Sequence, residues 1–198
     1  MRQCVLLGHD VPTDADFSLD DLAGGAGRLD AICRSITAGF VTSHGIREEV
    51  RVHLVCRDEL TITFDGRELR NLNPDERSTA ALVRNALDKR DEAIGALPAE
   101  ASPGVELYRR GFAETLETVS EEGTIVQLHE AGAPIGETSL PGDPIFVLSD
   151  HRDFTSEEER LLSEVADVRV RLGPTLLHAD QAITVSHHYL DTDGYTRF

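Results

Sequence analysis

The chain has 198 residues, 40% of them hydrophobic, and a formal net charge of −17. This is enough length and apolar content for one α/β domain with a substantial core, and no apolar run nears the roughly 20 residues of a membrane-spanning helix. The excess of carboxylate also excludes capture of nucleic acid by bulk charge in dilute buffer.

Residues 2–8 read as a β-strand. Their apolar stretch is too brief for a signal peptide, and acidic residues follow at once, so the cytoplasm is the expected location. An Asp-rich loop leads to Gly24-Gly25-Ala26-Gly27, which introduces a helix over about 28–42 with Leu29, Ile32, Cys33, Ile36 and Phe40 at three- and four-residue spacing. Strands are predicted at 50–56 and 60–64, with turn chemistry at Asp65-Gly66. Asn73-Pro74-Asp75-Glu76 supplies a helix start, with Asn at N-cap, Pro at N1 and Glu at N3. That helix should run to about Leu97 and bury Ala80, Leu82 or Val83, Ala86 and Leu87. Residues 98–104 read as a loop, Gly111-Phe112 as the start of a helix reaching about Glu121, 124–128 as a strand and 131–144 as a Gly/Pro-broken loop.

The last third carries the clearest pattern. The apolar run Ile145-Phe146-Val147-Leu148 ends at Ser149-Asp150-His151, and a helix starts at Thr155-Ser156-Glu157-Glu158-Glu159. The strand Val168-Arg169-Val170-Arg171 breaks at Leu172-Gly173-Pro174, and residues 176–184 are again helical in pattern. Strand, helix, strand and helix in this order predict a parallel βαβ unit with ligand loops at the strand ends. There is no repeat, low-complexity tract or linker, so residues 1–198 are expected to form a single domain.

Cys4, Cys33 and Cys56 all lie in apolar segments. An odd count without CxxC argues against a disulfide framework or a zinc site, and buried thiols are expected. Lys89 is the only lysine, against eighteen arginines. An acidic, lysine-poor but well-patterned chain suits a salt-filled cell, where the Debye length falls to about 3 Å at 1 M and self-repulsion is screened. Binding of nucleic acid then leans on hydrogen bonds, stacking and shape. The charge is uneven: residues 1–112 sum to −5 and residues 113–198 to −12. A polyanion should therefore prefer a face built from the N-terminal half.

Gly24 to Gly27 lack the Walker lysine and the spacing of a dinucleotide fingerprint. A helix N-terminus still binds anions, so Arg28 is a candidate for an RNA phosphate. Asp30 follows in the first turn, where the helix dipole alone favours a carboxylate. His151, His178, His187 and His188 have neither HExxH spacing nor a completing Cys or Glu, so no metal is expected. His187 and His188, being adjacent, cannot both face one site. Arg109-Arg110, directly after Tyr108, is the only Arg pair and suits stacking and phosphate contact on an irregular RNA loop.

The series Gly27-Arg28-Leu29-Asp30, Ser43-His44-x-x-Arg47, Pro74-Asp75-Glu76-Arg77, Ser102-Pro103-Gly104, Ser149-Asp150-His151 and Leu177-His178-Ala179 resembles the archaeal tRNA pseudouridine-54 N1-methyltransferases, members of the SPOUT class. The likeness covers nearly the whole chain in collinear order. It implies a mostly parallel α/β sheet flanked by helices, with a C-terminal trefoil knot over about 124–191, an exception to unknotted topology. It implies S-adenosylmethionine in the knot loops, a homodimer with active sites near its interface, and tRNA as the substrate. A sister group acts on a pseudouridine of ribosomal RNA, and a non-catalytic RNA-binding dimer is a further alternative.

Carried over by resemblance, the cofactor pocket uses Leu128, Ser149, the run Leu172-Gly173-Pro174-Thr175-Leu176-Leu177, and Ala182. Some relatives carry Gly at the position of Ser149 and Cys at that of Ala182, so a thiol there has no role in this chain. Leu128, Leu172, Leu176, Leu177 and Ala182 would wall a water-poor pocket. Asp30 is the candidate that accepts the N1 proton or orients the base. At an ordinary pKa of about 3.9 it is a weak base, so either its pKa is raised or it only orients. Arg28 would clamp a phosphate or polarise a uracil carbonyl, and Arg28, Arg109 and Arg110 would meet the RNA.

Overall fold

The central strand of the molecule is its first. In the computed structural model, which describes residues 1–198, β1 (Arg2–Gly8) is flanked by β4 (Val50–Cys56) on one side and β9 (Pro144–Ser149) on the other, both parallel to it. Beyond β9 come β8 (Thr124–Pro134) and then β10 (Val168–Arg171), also parallel. Beyond β4 the sheet turns antiparallel through β5 (Leu60–Asp65), β7 (Val105–Tyr108) and β6 (Ala99–Ser102). The eight strands form one sheet, and a separate two-stranded ribbon pairs β2 (Val41–Thr42) with β3 (Gly45–Ile46).

Side-chain alternation along β1 explains the layers. Cys4 and Leu6 join a core of Leu29, Ile32, Ile36 and Phe40 from α1 (Leu29–Phe40), Ala80, Val83 and Leu87 from α2 (Glu76–Asp88), and Ala182 and Ile183 from α5 (Ala179–Asp191). Val5 and Leu7 point the other way, onto Phe112, Leu116 and Val119 of α3 (Phe112–Ser120) and Leu162 of α4 (Ser156–Val165). A strand covered on both faces reads as a near-continuous apolar run, and β1 is buried from Gln3 to Gly8, with the polar Gln3 hydrogen-bonded to His53. Each fully buried Leu or Phe contributes about 1.5–3 kcal/mol to holding these layers together. All three cysteines are buried and free, and burial pushes the Cys4 and Cys56 thiols up to about 12. No helix is long and apolar enough to cross a membrane.

Five expectations need correction. The second helix ends at Asp88 rather than near Leu97, followed by a 3-10 turn at Arg90–Glu92 and a short bridge between Ile94 and Leu97. Its N-cap is Asp75, whose side chain accepts from the Ser78 amide, rather than Asn73. The expected loop over 98–104 contains β6, which closes on β7 through a turn where Gly104 has φ of +74°. The strand at 124 continues to Pro134. Its register against β10 jumps, with Arg169 opposite Gln127 and Val170 opposite Ala133, so the intervening residues stand out of that ladder as a bulge. The final helix starts after His178 rather than at Leu176.

Candidate active site

Parallel strands of an open α/β sheet present their carboxyl ends on one edge, and the connecting loops there form the usual ligand crevice. In this chain that edge gathers Gly8 of β1, Leu128 just past the last β8–β9 pair, Ser149 of β9 and Arg171 of β10. The loops that leave it are residues 9–28, 150–155 and 172–178. Thus the expected pocket residues and the expected Arg28 and Asp30 come to the same end of the sheet.

The first loop ends in a strained turn. Gly27 and Arg28 both adopt left-handed backbone, with φ of +57° and +60°. A Cβ on Gly27 would lie 1.9 Å from the Asp10 carbonyl oxygen, so only glycine lets the end of this loop close against its beginning. Arg28 is the N-cap of α1, and a left-handed arginine is a rare conformation that costs about 1 kcal/mol or more. Its guanidinium turns back onto Asp30: Nε donates to Oδ1 at 3.0 Å and Nη2 to Oδ2 at 3.2 Å. Arg34 Nη1 donates to Asp30 Oδ2 at 3.1 Å and to Glu76 Oε1 at 2.8 Å. Arg28 Nη1 has no partner in the chain and stays free for a ligand.

These bonds decide the state of Asp30. The Arg28 hydrogen bonds, partly opposed by burial and reinforced by Arg34, bring its carboxyl down to about 2. The raised pKa that a general base needs is absent, because two guanidinium groups hold the anion. Beside this array a shallow cleft of about 360 Å³ is lined by Arg34, Thr37, Ala38, Pro74 and Glu76, and by Asp180 in the first turn of α5.

The expected cofactor residues fall into two groups. Leu128, Leu172 and Ala182 pack against the larger core. Ser149 is half-buried, and its Oγ is fully buried without any hydrogen-bond partner. Gly173, Pro174, Thr175, Leu176 and Leu177 form an exposed loop in which no backbone group of residues 173–177 is used in a hydrogen bond. A Cβ on Gly173 would meet nothing within 4 Å. Leu176 and Leu177 are 81% and 37% exposed, so within one chain they stand open rather than enclosed by other side chains. An orphaned buried hydroxyl and a run of unpaired amides and carbonyls match a polar, heterocyclic ligand such as S-adenosylmethionine, whose adenine and amino-acid ends need both donors and acceptors.

Arg109 and Arg110 do not form one patch. Arg109 Nε and Nη2 each donate at 2.9 Å to the carbonyls of Ala93 and Arg90, bracing the turn after α2. Arg110 lies over the Tyr108 ring, 4.1 Å from its centroid, in a groove of about 430 Å³ on the sheet face beside α3. The histidines divide as adjacency required: His187 is buried, while His188 lies exposed near Tyr195. No group of three or more His, Cys, Asp or Glu side chains converges in a way that could hold a metal ion.

Residues not anticipated from sequence tie the loops together. The Asp150 side chain is fully buried, and its Oδ2 accepts from the His9 amide at 2.8 Å. The His9 ring bridges Asp150 and Glu158. Arg34 and Glu76 extend the Asp30 array from two helices.

The sequence profile of a family described as SAM-dependent RNA methyltransferases matches residues 1–195. Two relatives, each called tRNA (pseudouridine(54)-N(1))-methyltransferase, are 62% identical over 198 residues and are covered completely, as is this chain. They come from Haloferax volcanii and Haloarcula marismortui. A relative of the same name from Methanocella arvoryzae is 41% identical, covering 93% of this chain and 96% of its own. The solved structure of Archaeoglobus fulgidus Nep1, bound to S-adenosylhomocysteine, shares the fold. Its TM-score is 0.64 at 15% identity, covering 94% of this chain and 95% of its own.

Proposed function

We infer function from one premise: the chain belongs to the family of SAM-dependent RNA methyltransferases. It is a tRNA (pseudouridine(54)-N(1))-methyltransferase, and S-adenosylmethionine is its methyl donor. The observation that carries this reading is full-length identity of 62% to relatives of that name, with no part of either chain left over. The geometry agrees with it, because the free loop 173–177, the orphaned Ser149 hydroxyl and the Arg28–Asp30 array share one end of the sheet.

Pseudouridine is linked to ribose through carbon, so its N1 carries a proton that uridine lacks. When bound, the cofactor supplies a methyl group on a sulfonium. Ser149 Oγ and the backbone of 173–177 would hold it, with Leu128, Leu172 and Ala182 beneath. Arg28 Nη1 would bond a uracil carbonyl and stabilise the negative charge that develops on the base as N1 loses its proton. Asp30 fixes the Arg28 guanidinium through its other two nitrogens and leaves that proton to solvent. Much of the rate then comes from positioning rather than from a strong base.

We place three further properties beside this one. Leu176, Leu177, Tyr195 and Phe198 are exposed apolar residues of the C-terminal segment, and we assign them to a homodimer interface that completes the cofactor pocket. We read the return of α5 from the edge strand β10 to the middle of the sheet as the trefoil threading. Its Tyr189 hydroxyl there donates at 3.3 Å to the carbonyl of Thr138 in the β8–β9 connection. The place of action is taken to be the cytoplasm, with tRNA.

The test is a tRNA transcript carrying pseudouridine or uridine at position 54, incubated with S-adenosylmethionine at high salt and digested to nucleosides for mass spectrometry. A new methylpseudouridine from the first RNA alone is expected. Methylation of a ribosomal RNA fragment instead, or of neither, would overturn the assignment.

A further inference from the structure

His9 is the first residue after β1 and begins the loop that ends at Arg28. Its ring stands between two carboxylates from a different part of the chain: Nδ1 lies 3.0 Å from Asp150 Oδ1 and Nε2 lies 3.2 Å from Glu158 Oε2. A carboxylate oxygen only accepts, so both ring nitrogens must donate, and only the imidazolium carries both protons. The Asp150 side chain is fully buried and the His9 side chain is 12% exposed, so water does not substitute freely for either bond.

The two carboxylates bracket one loop. Asp150 follows Ser149 at the end of β9, and its amide donates to the Leu7 carbonyl at 3.0 Å. Its Oδ1 also accepts from the Arg152 amide at 2.8 Å, so the turn is built around that carboxylate. Glu158 sits at the third position of α4, where its Oε2 accepts from the Thr155 amide at 2.7 Å while the Thr155 hydroxyl accepts from the Glu158 amide at 3.3 Å. Residues 150–155 are thus pinned at both ends by carboxylates that share one imidazolium. Arg152 pairs with Asp10 and adds a second link between the same two loops.

We propose that His9 is a positioning residue for the methyl-transfer reaction: as an imidazolium clamped between Asp150 and Glu158 it holds the loop after Ser149 in the shape that receives the methyl donor, and fixes it against the loop that carries Arg28 and Asp30. The proposal rests on the cofactor reading above. Asp150 and Glu158 touch the ring, and the charged and titratable groups linked to this cluster are His151, Arg152, Asp10 and Arg57, whose backbone and side chain bond the Gly8 and Asp10 carbonyls. His151 Nδ1 lies 3.6 Å from the same Asp150 oxygen, and Glu159 on α4 faces His129 instead. Burial by itself lowers the His9 pKa, but the two carboxylates outweigh it and raise it above the ordinary histidine value. Glu158 is correspondingly lowered: burial pushes it up, and the Thr155 amide and His9 more than compensate. The sign follows. The clamp is intact below the ordinary histidine pKa and is lost as pH rises through the raised one, when one ring nitrogen turns a lone pair toward a carboxylate.

The experiment is calorimetric titration with S-adenosylhomocysteine at high salt, from about pH 6 to about pH 9, the range that histidine titration spans. For the unaltered protein the dissociation constant should rise about tenfold across the range, the worth of one charge-assisted hydrogen bond. His9→Gln should bind about tenfold more weakly at low pH and show no such rise. Glu158→Gln keeps a capping side chain, and its amide can donate to neutral imidazole, so it should bind well and lose most of the pH dependence. Melting curves at each pH confirm that the variants are folded. Equal affinity and equal pH dependence in His9→Gln and the unaltered protein would overturn the proposal. Absence of binding by the unaltered protein at every pH would overturn the cofactor reading and the proposal with it.

Discussion

Replacing Asp30 by Asn tests the assignment of roles at the start of α1. Asn keeps the shape but removes the charge and one of the two acceptor oxygens that hold Arg28 at 3.0 and 3.2 Å and Arg34 at 3.1 Å. Hydrogen bonds to charged groups contribute about 1.5–3 kcal/mol when well shielded. Arg28 and Arg34 are 43% and 41% exposed at the side chain, so solvent screening reduces the sum to about 1–2 kcal/mol of stability. Because the Asp30 pKa is depressed to about 2, this contribution is fully present above the ordinary carboxyl value and is lost as pH falls toward 2. The stability gap between the two proteins should therefore close on acidification below about pH 4. In catalysis, a carboxylate with a pKa of about 2 is ionised by roughly five orders of magnitude at pH 7 and cannot shape a rate profile near neutrality. Single-turnover methylation by Asp30→Asn should fall about 10- to 100-fold, the effect of a misplaced guanidinium, with the pH–rate profile unchanged in form. Urea denaturation and rapid-quench kinetics on pseudouridine-containing tRNA measure the two effects. Loss of an entire limb of the profile in the variant would show that Asp30 takes the proton, and would refute the reasoning.

Gly27→Ala should destabilise by at least about 2 kcal/mol, combining left-handed strain with a Cβ driven into the Asp10 carbonyl; an unchanged melting temperature would contradict the turn geometry. Ser149→Ala removes a buried hydroxyl that has no partner within the chain. Stability should hold within about 0.5 kcal/mol while S-adenosylhomocysteine binds about five- to tenfold more weakly, and equal affinity by calorimetry would remove Ser149 from the pocket. With a net charge of −17, the melting temperature should climb steadily with potassium chloride concentration, as screening relieves self-repulsion. A melting temperature that falls or stays flat would count against salt adaptation.

Elements whose burial has one period were legible. β1 shows as a run of apolar residues, α1 as the spacing of Leu29, Ile32, Ile36 and Phe40, and α4 as the helix start at Thr155-Ser156-Glu157-Glu158-Glu159, all present in the structure. The errors arise where composition and packing disagree. Ile94 and Leu97 extend the apolar rhythm of α2, yet they stand 71% and 72% exposed on a turn, so the rhythm alone overran the helix. β6 is only four residues long, Ala99-Glu100-Ala101-Ser102, and its apolar positions are small alanines, so its alternation gives a weak signal. Gly132 suggested a loop, but it is small because the Val170 backbone passes where its Cβ would be, 2.5 Å away. At the candidate site, the adjacency of Arg28 and Asp30 was legible, while the bonds that hold the Asp30 carboxylate were not. Arg34 is one turn further along α1, and Glu76, which shares it, comes from α2. The His9 clamp spans 141 and 149 residues to its two partners, and no local pattern announces it.

An enzyme this acidic that acts on a polyanion needs a form of recognition that does not depend on long-range attraction. At molar salt the Debye length is about 3 Å, so a cation is felt by a phosphate or a uracil oxygen only at contact. Placement of the cation then matters more than the number of cations. Arg28 meets that condition: a left-handed backbone fixes its origin, Asp30 fixes two of its nitrogens, and the third is left free. The carboxylates surrounding the arginines are therefore not a simple obstacle to RNA binding. Asp30 lowers the net charge of the site but spares Arg28 the entropy of finding its pose, which for a long side chain reaches about 2 kcal/mol. In dilute buffer that exchange would be unfavourable, because the lost attraction exceeds the gained order. In concentrated salt the attraction is already screened away, and the order is what remains.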